Sequence, residues 1–438
     1  MAFYCQAHAQ DISNHFSDRA GYSGGHDIVL SFDGAYTITY FVTSSFTPAM
    51  EVVELASGAS YYVDLPPDVY IMDMYFEPGT KTIYFCGSTD YYAYYLGSLR
   101  GVGIIGWIDF NDFFSPNVNV NYIYLDDPTY TINSVNKLTE YDNGGKPQIV
   151  AIGEHRYRQD NYIYSEQYFV DCFDITGTTI LNVELFPTNE HYYDVLRTAN
   201  FVVLMGSGIN SGLSSICYRK TDPYNLSDPM LDDIHFFKGG DDYLSRTHST
   251  AMFDDEIATS YFAVNSNDDF VTRVRMIDIK LDLNTNSQEF LIGTKSEPID
   301  IIHIPADNSL VIMQDFDAPG GSNNSNFVYI DPHETNVYNT PIEYRYNDYY
   351  QSMTMHDRSY YLAAGGGAIW FLKDKTIAPT GFPSPDCPVS EDFKVEPVDN
   401  IDHSFISYPF GIPPYSFTFN NQFSPVIISN IDSDCSNF

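Results

Sequence analysis

The chain has 438 residues and a formal net charge of −37, from 58 acidic and 21 basic side chains. A negative excess of this size repels phosphate backbones and anionic lipids, so it argues against nucleic acid as a partner. No run of about 18 apolar residues occurs, so no membrane insertion is predicted. The 37 Tyr and 31 Phe favour β-strands over helices, and the composition therefore predicts an all-β protein.

Residues 1–15 allow two interpretations. Ala7-His8-Ala9 has the small-x-small pattern of a signal-peptidase site, although few residues precede it. The same segment can instead provide a strand that closes a ring of sheets. We therefore interpret residues 1–15 as an export-signal remnant or a closing strand.

Between residues 16 and 377 one pattern recurs seven times: an apolar strand, a short polar turn and a second apolar strand. The copies begin at His26, Met72, Ser134, Tyr193, Ser249, Ile299 and Gln351. A spacing of roughly 45–60 residues is typical of one four-stranded propeller blade. A ring of such sheets covers their faces and leaves only short edges. We predict a seven-bladed β-propeller over residues 16–377, with six or eight blades as alternatives.

The seventh copy lacks an outermost strand, because Pro379 and Pro383 soon follow its third strand. Either the N-terminal segment or the tail is expected to supply that strand. Residues 378–438 are predicted to form a small C-terminal β segment. They fit either a strap packed on the ring or a truncated immunoglobulin-like module. Cys387 and Cys435 bracket this segment and could form a disulfide.

The repeat spacing, the richness in Tyr, Asn and Asp, and the segment bounded by Cys387 and Cys435 resemble exported propeller proteins of Bacteroidetes-type bacteria. In such proteins a propeller commonly precedes a C-terminal sorting module of the type IX secretion machinery. The resemblance implies a protein that is secreted or held at the cell surface. The chain departs from the pattern at residues 433–438, which lack the final strand and basic end of that module.

One polar position recurs at the start of the innermost strands. Four copies carry an aspartate there: Asp27, Asp73, Asp194 and Asp300. In a ring these carboxylates would converge near one mouth of the central channel, where oxygen ligands could hold Ca²⁺. Alternatively, each carboxylate caps its own turn by accepting hydrogen bonds from backbone N–H groups. Beyond a possible Ca²⁺ ion, the sequence indicates no cofactor.

Tyrosines are dense in three loops. These candidate ligand-binding residues are Tyr91, Tyr92, Tyr94, Tyr95, Tyr157, Tyr162 and Tyr349. A tyrosine ring combines a rigid apolar face with a hydroxyl, which suits stacking on sugars or gripping a protein. The same rings could instead cover blade edges.

No Gly-x-Ser-x-Gly nucleophile motif, zinc-spaced Cys/His cluster or phosphate-binding glycine loop is present. Histidines in or beside inner strands, such as His155 and His303, more often have structural roles. We therefore expect an extracellular binding module that recognises a glycan or a protein partner through one propeller face. Two alternatives stay open: a polysaccharide lyase or glycoside hydrolase with its site at the channel mouth, and a structural module of a surface assembly.

Overall fold

The computed structural model describes most of the chain between residues 12 and 373 and three short segments after it. The described ranges are 12–16, 22–31, 34–43, 46–54, 60–90, 101–114, 118–125, 132–142, 147–159, 162–173, 179–186, 190–198, 201–210, 213–221, 234–238, 243–253, 256–264, 270–278, 288–294, 296–304, 309–317, 323–331, 336–342, 350–356, 359–364, 368–373, 394–397, 405–406 and 419–423.

These residues form β-strands and one short 3-10 turn, Phe110–Phe114. Strands dominate because Tyr, Phe, Val and Ile pack well on a pleated surface. Within the described ranges, no helix has the length and apolar character that a membrane crossing requires. The protein is therefore all-β in the part that the structure describes.

The first three sheets each contain four consecutive antiparallel strands. Sheet 1 consists of β2 (Tyr22–Leu30), β3 (Tyr36–Thr43), β4 (Pro48–Glu54) and β5 (Ser60–Asp64). Sheet 2 consists of β6 (Tyr70–Glu77), β7 (Thr82–Ser88), β8 (Gly103–Asp109) and β9 (Val118–Tyr124). Sheet 3 consists of β10 (Ser134–Asp142), β11 (Pro147–Gln159), β12 (Tyr162–Phe173) and β13 (Thr179–Leu185).

The next three sheets repeat this order. Sheet 4 consists of β14 (Glu190–Arg197), β15 (Val202–Asn210), β16 (Leu213–Thr221) and β17 (Ile234–Lys238). Sheet 5 consists of β18 (Tyr243–Phe253), β19 (Glu256–Val264), β20 (Phe270–Asp278) and β21 (Gln288–Thr294). Sheet 6 consists of β22 (Ser296–Ile304), β23 (Ser309–Asp317), β24 (Asn323–Asp331) and β25 (Asn336–Ile342).

Sheet 7 combines strands from the two ends of the repeat region. It consists of β26 (Tyr350–His356), β27 (Ser359–Ala364), β28 (Ala368–Lys373) and the N-terminal β1 (Ile12–Phe16). β1 pairs antiparallel with β28, from Ile12 opposite Leu372 to Phe16 opposite Ala368. The N-terminal strand thus occupies the outer position that the seventh repeat leaves open.

Three short strands near the C-terminus extend other sheets. β29 (Lys394–Pro397) pairs with β21 of sheet 5, β30 (Phe405–Ile406) with β17 of sheet 4, and β31 (Phe419–Phe423) with β9 of sheet 2. In the described residues, the segment after residue 378 therefore adds edge strands to existing sheets. Cys387 and Cys435, predicted to form a disulfide, lie outside the described residues.

We call the strand that begins each sheet its first strand; these are β2, β6, β10, β14, β18, β22 and β26. The first strands of the seven described sheets are neighbours in cyclic order. β2 contacts β6, each subsequent first strand contacts the next, and β26 contacts β2 again. The sheets pack face to face, and apolar clusters fill the spaces between consecutive sheets from sheet 1 to sheet 5. Ile38 and Phe85, for example, are fully buried between sheets 1 and 2. These small antiparallel sheets resemble propeller blades.

Two cysteines that the sequence places in apolar strands are buried free thiols. Cys86 lies in β7 and Cys217 in β16, and both are completely inaccessible to solvent. Burial raises the pKa of each thiol well above its ordinary value. Both cysteines therefore act as small apolar core residues.

Candidate functional site

Each first strand contains a one-residue bulge at the same place. The register shifts by one residue there, so one residue of the first strand has no partner on the second. The residues that follow the bulge in sheets 1 to 7 are Asp27, Asp73, Lys137, Asp194, Ser249, Asp300 and Ser352. We call this set the bulge ring.

All four aspartates of the bulge ring accept a backbone N–H group of the following sheet, and all except Asp73 also accept one of their own sheet. Asp27 illustrates the arrangement: its Oδ1 accepts the N–H of Ile28 at 2.9 Å, and its Oδ2 accepts the N–H of Met74 in sheet 2 at 2.7 Å. Asp194 makes the same pair of bonds to Val195 and, in sheet 5, to Thr250. Each such carboxylate therefore links two adjacent sheets.

A simple rule describes all seven sheets. In each sheet we consider the backbone N–H of the residue that follows the bulge ring residue in sequence. If the preceding sheet has an aspartate in the bulge ring, that aspartate accepts this N–H. If it does not, the aspartate of the same sheet accepts it. The acceptors are the preceding sheet's aspartate for Met74, Leu138, Thr250 and Met353, and the own-sheet aspartate for Ile28, Val195 and Ile301. The polar pattern at this position is thus explained by backbone pairing.

The other members of the bulge ring donate to these carboxylates. Ser352 donates to Asp27 at 2.9 Å, which joins sheet 7 to sheet 1. Ser249 donates to Asp300 at 2.7 Å. Lys137 Nζ donates to Asp73 Oδ1 at 2.9 Å, in an ion pair whose carboxylate side chain is 10% exposed. The strand register assigns Lys137 to this position in the third sheet.

Burial is the main influence on the pKa values of three bulge ring carboxyls, those of Asp27, Asp73 and Asp300. It raises the pKa of Asp27 and Asp300, and it raises that of Asp73 to about 7 although Lys137 opposes the shift. Burial acts to lower the pKa of Lys137. The carboxylates of Asp73, Asp194 and Asp27 outweigh it, and the pKa of Lys137 rises well above its usual value.

The raised carboxyl pKa values predict a stability that falls as pH rises. Between pH 4 and 7 the folded state retains a proton on Asp73 that the unfolded chain has lost, so folding is favoured at the acidic end of this window. A change in the pKa of Asp73 from its ordinary value of 3.8 to about 7 corresponds to at most about 4 kcal/mol of unfolding free energy. We expect the free energy of unfolding in urea to decrease from pH 5 to pH 7.5.

Asp73→Asn is the matched variant for this experiment. Its stability should change less with pH than that of the wild type, because the residue no longer titrates. Reduced self-repulsion of the acidic chain also favours the lower pH, but it acts equally on both proteins. Identical slopes for the two proteins would contradict the assignment of this titration to Asp73.

The structure places the four aspartates predicted to bind a metal in separate hydrogen-bonded pairings between sheets. Within the described residues, no three His, Cys, Asp or Glu side chains form a group that could hold a metal ion. Asp27, Asp73, Asp194 and Asp300 accept backbone N–H groups, but each of these four bonds comes from the following sheet and not from a turn of the aspartate's own sheet.

Most of the candidate tyrosines fall where side chains are not described. Tyr91, Tyr92, Tyr94, Tyr95 and Tyr349 lie outside the described residues, and for Tyr162 only the strand β12 is described.

Tyr157 is the candidate tyrosine whose side chain the structure describes. It is half-buried on β11, its ring stacks on His155 at 5.5 Å with an interplanar angle of 21°, and its hydroxyl donates to Glu166. The structure therefore shows Tyr157 in a local cluster with His155 and Glu166.

The hairpin of β11 and β12 is longer than its neighbours. β11 pairs with β10 only as far as Glu154, but it continues to pair with β12 as far as Gln159 opposite Tyr162. The hairpin therefore projects beyond the start of β10, on the side where the first strands begin. Arg158 and Gln159 are exposed near its end.

A polar cluster lies next to this hairpin, between sheets 3 and 4. Gln167 on β12 contacts His191 on β14. On the adjacent strand β11, Glu154 lies opposite Gln167 and forms an ion pair of 2.7 Å with Arg156. No short sequence motif contains Gln167, His191 or Glu154, so none of them was predicted as a site residue. Their strands come together only through the contact between the two sheets.

No protein-family model matches the chain, and no curated protein matches it. Solved structures similar to this chain include the β-propeller domain of the Trilobed protease from Pyrococcus furiosus, described as having an open velcro topology, with 10% identity, a TM-score of 0.45, and coverage of 79% of this chain and 92% of the other.

Extracellular domains 1–2 of Drosophila Semaphorin 1a give 10% identity, a TM-score of 0.44, and coverage of 83% and 88% of the two chains. The protein lmo1340 from Listeria monocytogenes gives 14% identity, a TM-score of 0.41, and coverage of 79% and 90%. Since these TM-scores are below 0.5, we assign no function from the similarities.

Proposed function

We propose that this chain is an exported seven-bladed β-propeller that binds a glycan or an extracellular protein on the face where its first strands begin. The blade count is supported by the cyclic contacts of the seven first strands and by the pairing of β1 with β28. Export is supported by the Tyr-, Asn- and Asp-rich composition and its resemblance to exported propellers.

The single observation that carries the binding role is the projecting β11–β12 hairpin. It presents a half-buried Tyr157 and an exposed Arg158 beyond the edge of sheet 3, on a scaffold of interlocked sheets. A rigid scaffold that presents aromatic and cationic side chains fixes them before the ligand arrives, which reduces the entropy cost of binding. The face therefore suits recognition of another molecule.

A second observation favours binding over catalysis. The buried carboxylates of the bulge ring accept backbone and side-chain hydrogen bonds that join sheets, as Asp27 does for Met74 and Ser352. A carboxylate used in this way has a structural task that proton transfer to a substrate would interrupt. We therefore assign the bulge ring to the scaffold and the hairpin to the ligand.

The first experiment incubates the full chain with immobilised neutral and acidic polysaccharides and with extracellular protein extracts, and it measures retention and released reducing ends together. Retention without product is expected. Released product that disappears on changing a described His, Tyr or carboxylate would instead establish a lyase or hydrolase. An absence of both retention and product on all supports would contradict the proposal.

Arg158→Gln tests the hairpin directly. We expect it to weaken retention about tenfold or more, because a hydrogen bond to a charged group contributes about 1.5–3 kcal/mol. Arg197→Gln is the matched control: Arg197 is also exposed but lies at the far end of β14, paired with Glu140. Equal retention of both variants would show that the hairpin is not part of the binding site.

A further inference from the structure

Gln167 is held by two hydrogen bonds to one backbone residue. Its Oε1 accepts the N–H of Tyr192 at 2.5 Å, and its Nε2 donates to the carbonyl oxygen of Tyr192 at 2.8 Å. Rotating the amide by 180° would place its NH₂ group against the N–H of Tyr192 and its oxygen against the carbonyl. The two bonds therefore fix which end of the amide is oxygen and which is nitrogen.

This orientation determines the protonation of His191. The second hydrogen of Gln167 Nε2 points to Nδ1 of His191, 2.9 Å away, so Nδ1 must accept a hydrogen bond. A neutral imidazole whose Nδ1 accepts carries its hydrogen on Nε2. Burial also lowers the pKa of His191, with Glu154 opposing and Arg156 supporting this direction. The ring is therefore a neutral donor through Nε2–H.

The surroundings of His191 are planar polar groups and an aromatic ring. Tyr193 stacks on His191 at 4.6 Å with an interplanar angle of 20°, and both side chains are partly exposed. Glu154 pairs with Arg156, and the amide of Asn136 lies 3.5 Å from the same carboxylate. The charge of Arg156 is therefore neutralised by its partner carboxylate, and the cluster offers fixed hydrogen-bond donors and acceptors beside a flat ring.

This combination matches one ligand chemistry. A neutral carbohydrate presents hydroxyl groups that both donate and accept, and apolar C–H faces that pack on an aromatic ring. An anionic ligand would meet a cation that is already paired and a chain with a net charge of −37. A cationic ligand would meet the Nε2–H donor of His191, which cannot accept.

We propose that Asn136, Glu154, Arg156, His191 and Tyr193 form a subsite for a neutral carbohydrate, in which Gln167 positions His191 as a fixed Nε2–H donor to a sugar oxygen. The subsite rests on the proposed binding function and identifies the ligand as a glycan. His191 contacts the sugar, whereas Gln167 acts only through His191. As a donor through Nε2, His191 does not serve as a general base toward the ligand.

The test records long-range ¹H–¹⁵N correlations of the full chain labelled at histidine, from pH 6 to 8, with the His191 signals assigned by their loss in His191→Phe. We expect the Nε2–H tautomer throughout this range. Gln167→Glu replaces the donor at Nδ1 by a carboxylate, so the His191 ring in that variant should gain a proton on Nδ1 and titrate at higher pH. A wild-type ring protonated on Nδ1, or an unchanged spectrum in Gln167→Glu, would overturn the positioning role.

The same sample is then titrated with cellohexaose, mannohexaose and oligogalacturonate. We expect a neutral hexasaccharide to shift the His191 signals and to bind His191→Phe at least about fivefold more weakly. His303→Phe, on β22 near the far end of sheet 6, should bind like the wild type. Equal affinity in His191→Phe, or binding of oligogalacturonate alone, would overturn the subsite.

The two proposals fail in different ways. If no saccharide binds while an extracellular protein is retained through the hairpin, the carbohydrate subsite is wrong and the binding function stands. If saccharide is cleaved, the binding function is wrong, and the His191 tautomer still reports separately on Gln167.

Discussion

Replacing Asp27 by alanine is expected to lower the free energy of unfolding by about 3–5 kcal/mol. The carboxylate accepts three hydrogen bonds, from the N–H groups of Ile28 and Met74 and from the hydroxyl of Ser352. Alanine removes the acceptor of both backbone N–H groups in a buried site. A buried group that stays unsatisfied costs about 1–3 kcal/mol, and the N–H of Ile28 has no second aspartate within the ring to accept it. Asp27 also joins sheet 7, sheet 1 and sheet 2, so the loss falls where the two ends of the repeat region meet.

Urea unfolding followed by tryptophan and tyrosine fluorescence measures this effect. Ser352→Ala is the matched control, because it removes one of the three bonds and leaves the carboxylate bound to both N–H groups. It should cost about 0.5–1.5 kcal/mol. If Asp27→Ala were no more harmful than Ser352→Ala, the backbone bonds would not be the source of stability at this position.

A second large loss is expected for Gly87→Ala. A Cβ atom at Gly87 would lie 1.8 Å from the carbonyl oxygen of Tyr70, far inside contact distance, and the obstacle is backbone on the paired strand. The bulge between Ile71 and Asp73 is close to this point, so relief of the clash would displace it. We expect a loss of about 3 kcal/mol or more, at the upper end for overpacked sites.

Gly79→Ala provides the comparison for this clash. At Gly79 a Cβ would meet the carboxylate end of Glu77 at 2.9 Å, and a side-chain end can move. The loss should be about 1 kcal/mol or less. Thermal unfolding of both variants distinguishes the two cases. Similar melting temperatures for the two variants would show that the strand pair near Gly87 adjusts easily.

Apolar periodicity was sufficient to predict the strands, because alternating Val, Ile, Tyr and Phe residues identify them without knowledge of their neighbours. The sequence also identified four aspartates at equivalent positions of the first strands, Asp27, Asp73, Asp194 and Asp300. It placed them at the strand starts, whereas each lies three to five residues inside its strand, directly after the bulge. It could not assign Lys137 to the same position, since that assignment depends on a bulge and hence on pairing between strands.

The cluster around His191 was inaccessible to sequence reasoning for a different reason. Gln167 and His191 belong to different sheets, and their contact depends on how sheets 3 and 4 pack. The tautomer of His191 depends further on two bonds to the backbone of Tyr192. Neither is encoded in a short motif, whereas Tyr157 could be selected because it lies in a locally tyrosine-rich stretch.

The hydrogen-bond rule of the bulge ring sets a lower limit on the number of aspartates. In each described sheet, the backbone N–H after the ring residue needs an aspartate as its acceptor, either from the same sheet or from the preceding one. Of any two neighbouring sheets, at least one must therefore have an aspartate in the bulge ring. Around a cycle of seven, four is the smallest number that satisfies this condition, and the described sheets carry four. No member is redundant: loss of Asp73, for example, leaves Leu138 without its carboxylate. Therefore at most three of the seven ring positions can hold a residue other than aspartate, and these three are occupied by Lys137, Ser249 and Ser352.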